Sequence, residues 1–546
     1  MNSRERRPAD RDAEKVSEGS HAGTDHLHSL GIALEQQGQH EAAFKAFEQA
    51  ALIRPDNAEL WASRGNALAN LARPEESLTS YQRALQLNPR HADAAFRCGL
   101  LLLALKRPEQ ALPYFDLSDE LYPNHPVVME QRALALHELK RFDEALSDNQ
   151  RAHALNPASA EICNNIGACL QGLSRDEEAL PWFDKAIGLR PSFVVALINQ
   201  ARSLTQMLRL DEAMRSYRQI QLIDAGNADA LWNSALLCLL TGDFAAGWAG
   251  REIRWQAHMR PPYPNFTQPM WRGKEDVQGK TVLLYAEEGN GDTIQFARYA
   301  PMLAARGARV ILAVQDTLQP LLTGLSGVSL CIPRSSPLPP FDLHCPICSL
   351  PFAFGTRLDT IPSATLPPPA HARVQSWEQR LRDRFGPDRK CRVGLVWSGN
   401  PNHGNDHNRS VPLRALLRLF DVDAAFVNLQ KDARPEDKAL LEQTGIVDLT
   451  AGLSDFAETA ALVSCLDLVI SVDTSVAHLA GALERPTWIM LPYSPDFRWL
   501  LDRDDSPWYP TVRLFRQTAT RDWNEVIDRV RSALTARVVS FRAQQG

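Results

Sequence analysis

Three stretches of this 546-residue chain run from an apolar segment straight into polar residues able to handle a phosphate or a proton. The first, Tyr285-Ala286-Glu287-Glu288-Gly289-Asn290-Gly291-Asp292-Thr293, places two glycines and a carboxylate at the opening of a helix. It lacks G-x-G-x-x-G spacing, which argues against a dinucleotide fingerprint. Asp292 has two readings, a helix-start carboxylate accepting first-turn N–H groups or a general base. The second stretch, Val396 to Pro412, is a polar loop in which Ser410 followed by Pro412 predicts a helix start. Arg409 beside that start would join the N–H donors as a diphosphate clamp, the plain alternative being a solvated surface arginine. The third, Asp467 to Gly481, carries Asp473, Thr474, Ser475 and His478 at the start of another helix. Val476, Leu479, Ala480 and Leu483 follow i, i+3, i+4, i+7 spacing and bury one face, while Ser475 and His478 share another. A histidine in a first turn is disfavoured as a cation, so His478 is either a neutral imidazole bonding a ligand or a satisfied side chain packed under the loop.

These loops need strands to aim them. From residue 280 short apolar runs alternate with amphipathic ones: TVLLYA, a helix near 292–305, RVILAV, a helix near 316–325. After a Pro-rich passage near 361–369 the pattern resumes with RVGLVW, a helix from about 412, AFVNLQ, a helix near 435–444, and DLVISV entering a further helix. This is the grammar of two parallel α/β lobes, in which ligands bind at the carboxyl ends of strands. A final helix from Asp522 to Ala536 is predicted, on a lobe the sequence leaves open.

The first half repeats. Prolines 55, 89, 123, 157 and 191 stand 34 residues apart, as do Gly31, Gly65, Gly99, Ala133, Gly167, Ala201 and Ala235. An aromatic column, Phe47, Tyr81, Phe115, Phe183 and Tyr217, keeps the same step, broken only by Asn149. Two antiparallel helices approach closely where one offers Gly or Ala and the other a ring, and proline stops the second helix before the next hairpin. The unit resembles the tetratricopeptide repeat, six copies and a degenerate seventh over about 24–252. The resemblance implies a solenoid with a concave groove for a protein or peptide partner, a bare scaffold or dimer surface being the alternative.

Composition bounds the rest. Net charge is −6 with both signs interspersed, which disfavours nucleic acid as a partner. No window is apolar enough to span a bilayer and residues 1–20 lack a secretion-signal core, so a cytoplasmic location is expected. Nine scattered cysteines suit a reducing compartment, and the lone Cys345-x-x-Cys348 pair reads as core rather than as a metal site. The expected organisation is a disordered segment 1–23, a solenoid 24–252, a linker 253–279 carrying Pro261, Pro262, Pro264 and Pro269, a lobe 280–369 and a lobe 370–546.

Taken together, E-E-G-N-G-D-T-I-Q-F-A-R-Y, W-S-G-N-P-x-H-x-N-D-x-x-R-S and S-V-D-T-S-V-A-H-L-A-G-A-L resemble motifs of bacterial tetratricopeptide proteins bearing a family 9, heptosyltransferase-like, glycosyltransferase domain. The resemblance implies a GT-B fold in which a nucleotide-sugar lies on the second lobe and an acceptor meets it from the first, with no metal and no cofactor beyond that co-substrate. It further implies that Asp292, on the Gly289–Gly291 turn, is the base; that Arg409, with Ser410, meets the leaving diphosphate; and that Asp473, Thr474 and Ser475 hold donor sugar and phosphates. Ser475 stands where the family has glycine. His478 matches a histidine of the same turn, and Gln430 stands where a carboxylate usually meets the ribose. In architecture alone the chain also resembles enzymes that attach N-acetylglucosamine to protein serine and threonine. An inactive GT-B scaffold and a sugar-nucleotide epimerase are the competing expectations.

Overall fold

A computed structural model of the chain describes residues 23–257, 265–364, 366–386 and 389–545. The expected N-terminal segment lies outside these residues but for Gly23, as do Pro261, Pro262 and Pro264 of the linker. Two compact units are formed, 1–204 and 205–546.

The first unit is a row of paired helices, alternately 13 and 14 residues long, from Ala58–Asn70 and Pro74–Leu87 to Ala160–Gly172 and Asp176–Leu189. Arg54, Asn88, Tyr122, Asn156 and Arg190 each follow a helix and precede one of the periodic prolines. All five take φ between −126° and −142°, because the proline ring denies its predecessor the helical region. The glycine and ring columns meet face to face. A methyl built on Gly99 would come 2.5 Å from the Phe115 ring, and one on Gly167 equally close to Phe183. Asn149 stands in the ring column of the repeat that has Ala133 in place of glycine; it is buried, and its amide donates to the Ala145 carbonyl at 3.0 Å. A second period is structural only: Gly38, Ala72, Lys106, Lys140 and Ser174 turn the chain between paired helices with φ from +54° to +71°.

The second unit opens with helices Leu210–Ile223, Ala228–Leu240 and Phe244–Arg251, then builds two parallel sheets. Strands β1 (Thr281–Tyr285), β2 (Arg309–Val314), β3 (Val328–Pro333) and β4 (Leu343–Pro346) lie in the order β3-β2-β1-β4. Strands β5 (Arg392–Val396), β6 (Ala425–Asn428), β7 (Val447–Asp448), β8 (Leu468–Val472), β9 (Thr487–Leu491) and β10 (Val512–Arg516) lie in the order β10-β9-β8-β5-β6-β7. The expected class, a helical solenoid followed by a two-lobed α/β region, is the one observed. Each sheet reverses its winding once, between β1 and β4 and between β5 and β8, and the crevice at such a reversal is where open α/β sheets bind ligands. The three polar loops leave β1, β5 and β8, the strands at those reversals.

Helices cover both faces of the six-stranded sheet, which is why its strands read as continuous apolar runs. Val393, Leu395, Leu468 and Ile470 share one core with Leu413, Leu416 and the last helix, Trp523–Ala543, which buries Val526, Ile527, Val530 and Leu534 there. Val396, Val427 and Val469 face the other core with Trp377 and Leu462. Between the two sheets stands Trp248, whose ring meets Phe296 at 6.0 Å and Phe497 at 5.8 Å, both edge-on.

Phe47, Tyr81, Phe115 and Phe183 of the ring column are buried in the hairpin cores of the first unit. Phe115→Ala should lower unfolding free energy by about 3–5 kcal/mol, read from denaturant titration of the far-ultraviolet circular dichroism signal.

Candidate functional site

Strand β1 ends at Tyr285, and Gly289 caps the helix Asn290–Phe296. Asp292 is the third residue of that helix and reaches back, its Oδ2 accepting the Gly289 N–H at 3.0 Å. The first-turn bonding expected of it is therefore replaced by the other half of a capping box. Its Oδ1 is bonded by the guanidinium of Arg498. Gly291 is glycine for a steric reason, since a methyl there would lie 2.8 Å from Cδ2 of His478 and 3.6 Å from the Ser475 Cα. The first loop is thereby laid directly on the third.

In the loop after β5, the helix expected from about 412 begins at Leu413, but Ser410 is not its cap. Asp406–Arg409 form a single helical turn that Ser410 closes, its hydroxyl donating to Asp406 Oδ1 at 2.8 Å and accepting the Gly399 N–H at 3.0 Å. Pro412 caps the next short helix, Leu413–Leu416. Ser410 thus braces the loop, and Arg409 lies at the end of a helical turn rather than beside a start. Arg409 is not a solvated surface arginine either: its side chain is 16% exposed, lies over Gly399 and donates to the Asp473 carbonyl at 3.1 Å. The second loop therefore touches the third.

After β8, Thr474 is the N-cap of the helix Ser475–Ala482, yet its side chain bonds none of the helix N–H groups and lies instead 3.0 Å from the Ser471 hydroxyl. The helix thus keeps first-turn N–H groups and a positive dipole end for an anion. Burial pushes the Asp473 carboxyl up to about 6, helped by Asp496 nearby. His478 is buried, stacked on Trp499 with ring centres 5.4 Å apart, and its Nδ1 lies 2.9 Å from the Tyr509 hydroxyl. Burial first, and Arg498 second, hold its pKa down at about 3, so the imidazole is neutral, with Nε2 3.8 Å from Asp473 Oδ1.

Gln430 does not join this cluster with a free oxygen. Its Oε1 accepts the N–H groups of Ser398 at 3.0 Å and Trp397 at 3.3 Å, so the side chain splints the turn after β5. The residue type explains the difference: an amide oxygen can accept two backbone N–H groups without bringing a charge to the strand end.

Sequence reading missed Arg498, Asp496, Gln295 and Tyr509. Arg498 donates from Nε to Gln295 Oε1 at 2.7 Å and from Nη1 to Asp496 Oδ1 at 2.7 Å, besides holding Asp292. It lies in the loop after β9, and TWIML was the signal available: marking it as a strand leads directly to Tyr493-Ser494-Pro495-Asp496-Phe497-Arg498 at its carboxyl end. A second buried charge cluster backs the first loop. Arg251 meets Glu288 at 2.5 Å, and Arg254 meets Glu287 at 2.9 Å and the Ser349 hydroxyl at 2.6 Å. Burial raises Glu287 to about 7 against the pull of Arg254. Glu287, Glu288 and Cys348 place ligand atoms within 4.8 Å of one another, but the two guanidinium groups already answer those charges. Cys345 and Cys348 are buried free thiols, raised well above their ordinary range by burial.

His478 carries a pH signature. Its folded pKa lies below its ordinary 6.5, so between 6.5 and about 3 the unfolded chain binds the proton that the folded chain refuses, and stability falls as pH drops through that window. Asp473, raised from 3.8 to about 6, acts in the opposite sense between those values. The two are separated by substitution: the loss of stability from pH 7 to pH 5 should be smaller in His478→Gln than in the parent, and ¹⁵N shifts of the parent should show a neutral His478 at pH 5.

Comparison with known proteins bears on both units. Residues 27–57, 63–126 and 160–193 match tetratricopeptide repeat families. Residues 430–493 match glycosyltransferase family 9 (heptosyltransferase), a span that includes Gln430, Asp473, Thr474, Ser475 and His478 but neither Asp292 nor Arg409. Protein FlbA of Caulobacter vibrioides is 28% identical over 340 residues, covering 55% of this chain and 54% of FlbA, so the chain spans about half the length of that relative. Among solved structures, YrrB, described as a TPR protein with an unusual peptide-binding site, is 25% identical over 31% of this chain and 88% of its own, with a TM-score of 0.30. A tetratricopeptide repeat protein from Parabacteroides merdae is 16% identical over 44% of this chain and 94% of its own, with a TM-score of 0.38. Among the described residues no helix is long and apolar enough to cross a membrane. With its 34-residue hairpins the chain carries tetratricopeptide repeats, and over residues 430–493, which include the loop after β8, it matches glycosyltransferase family 9 (heptosyltransferase).

Proposed function

We propose that the second unit is an inverting glycosyltransferase that moves a sugar from a nucleotide-sugar to a protein or saccharide acceptor, chosen in part by the repeats. One observation carries the reading. A carboxylate from the β1 loop, an arginine from the β5 loop and the helix start after β8 adjoin one another at the carboxyl ends of their strands.

In this reading Asp292 takes the proton of the acceptor hydroxyl as the oxygen bonds to the sugar carbon from the face opposite the diphosphate. The bond to the diphosphate breaks in the same step, and its electron pair leaves with the phosphate oxygen. Arg409 and the free N–H groups at Ser475–Ala482 meet that charge, the role such preorganised donors fill without a metal ion. Asp473 and neutral His478 bond donor hydroxyls, and nothing in the scheme calls for a cofactor. Gln430 supports the site by shaping the β5 turn and not by touching the ribose. In the first unit an open groove of about 390 Å³, lined by Glu35, Asn66, Asn70 and Arg97 among others, offers mixed charge and amide groups to a peptide, which supports a protein partner. Free thiols throughout and a cytosolic donor class together favour the cytoplasm.

The Asp292–Arg498 pair lends weight to a second reading, an inactive domain serving as a base for the repeats, because both carboxylate oxygens are already engaged. Calorimetry with nucleotide-sugars and mass spectrometry of lysate proteins separate the two. An active transferase should bind a donor and add a sugar mass, and Asp292→Asn should slow the transfer by about 10²–10⁴. Product formed without any acceptor would mark an epimerase, and equal products from parent and variant would remove Asp292 from the chemistry.

A further inference from the structure

We propose that Arg498 is a diphosphate-binding residue held in reserve by Asp292, so that donor binding is what frees the base. The inference rests on the nucleotide-sugar reading of the same cleft and adds a residue that none of the three polar loops contains.

The guanidinium of Arg498 is 11% exposed and its three nitrogens are divided among Gln295, Asp496 and Asp292. Two of these partners belong to its surroundings in either state: Asp496 is two residues away on the same loop, and the Gln295 amide is neutral and buried. Asp292 differs. It shares the helix after β1 with Gln295, but it is charged, its side chain is 16% exposed, and its second oxygen is held by the Gly289 N–H. Each oxygen of this carboxylate keeps a second lone pair, but the guanidinium bonded to Oδ1 crowds the approach of an acceptor hydroxyl to that oxygen. The groups gathered here are the carboxylates Asp292, Asp473 and Asp496, with Glu288 already paired to Arg251, against the guanidinium groups of Arg409 and Arg498, with Arg298 already bonded to backbone carbonyls. An arriving diphosphate adds at least two further negative charges, and Arg409 alone cannot answer them.

One exchange resolves both problems. The outer edge of Arg498 moves from Asp292 Oδ1 to a phosphate oxygen, a partner that guanidinium binds at least as well as carboxylate. Asp292 Oδ1 is then open to the acceptor hydroxyl. No bond is made or broken covalently and no proton moves in this step. The backbone need not follow, because Phe497 is packed edge-on against Trp248. Only the side chain of Arg498 has to swing.

The test is isothermal calorimetry of the full chain with UDP, GDP, ADP, CDP and dTDP, and with the matching phosphate-free nucleosides as controls. Four proteins are compared: parent, Asp292→Asn, Arg498→Gln and the double variant. Asparagine keeps an oxygen for the Gly289 N–H, so the helix cap survives. If Asp292 competes with the diphosphate for Arg498, Asp292→Asn binds the preferred nucleoside diphosphate about tenfold more tightly than the parent, and Arg498→Gln binds it about tenfold more weakly. The gain from Asp292→Asn must vanish when Arg498 is absent, and nucleoside binding must not change. A gain that persists in the double variant is a general charge effect and overturns the proposal, as does no gain at all. Should Arg498→Gln not fold, as judged by circular dichroism, Arg498→Met replaces it, since it also removes the cation, and loss of the gain on that background decides equally. If no diphosphate binds any folded variant, the nucleotide-sugar reading itself has failed, a result distinguishable from binding that ignores Asp292.

Discussion

A guanidinium held between carboxylates of two different sheets is the interaction around which the second unit is arranged. Arg498, from the loop after β9, meets Asp292, from the loop after β1, and both are largely removed from water. Removing Arg498 would leave the Asp292 carboxylate charged and without a cation, which costs about 3–5 kcal/mol, so the two strand ends have a strong reason to remain together. The surrounding contacts agree with that constraint. Gly291 admits His478 where any side chain would collide, and Arg298 sends its Nη1 to carbonyls of Pro362 and Trp508.

Around that point the structure layers its support outward. Tyr509 and Trp499 fix His478 from one side, Ser410 and Asp406 fix the loop bearing Arg409, and Gln430 fixes the turn beneath it. Behind the first loop, Arg251 and Arg254 hold Glu287 and Glu288 from the end of the helix Phe244–Arg251. That helix also carries Trp248, which packs on a ring from each sheet's side of the cleft. The terminal hairpin is therefore part of the machinery that positions the cleft, even though its register continues the repeat of the first half.

Legibility in the sequence followed the range of the interaction. The 34-residue period was readable because hairpin packing depends on residue size at fixed offsets, and Gly99 with Phe115 or Gly167 with Phe183 states that rule twice over. The left-handed turn residues of the same period were not, because Ala72, Lys106, Lys140 and Ser174 have no side-chain feature in common; the hairpin imposes their backbone on them. In the second unit β1, β2, β5, β6 and β8 stood out as apolar runs. The short β4, which ends in proline, and β7, two residues long, did not, and with β9 unmarked its following loop escaped notice. The final helix was visible, but the sheet it covers was decided by which core had room for Val526, Val530 and Leu534.

The sequence by itself determined the periodic hairpins, the strands that end in polar loops, and the residue types those loops bring, since each is written within a few dozen neighbouring positions. Only the tertiary structure decided what those residues do to one another. Asp292 and Arg498 are 206 positions apart, and Arg409 and Asp473 are 64 apart, distances at which no local pattern links one residue to the other. Gln430 shows the same limit at closer range: its place in the resemblance implied a ribose contact that its amide put in doubt, and the N–H groups of the neighbouring strand end hold its oxygen instead.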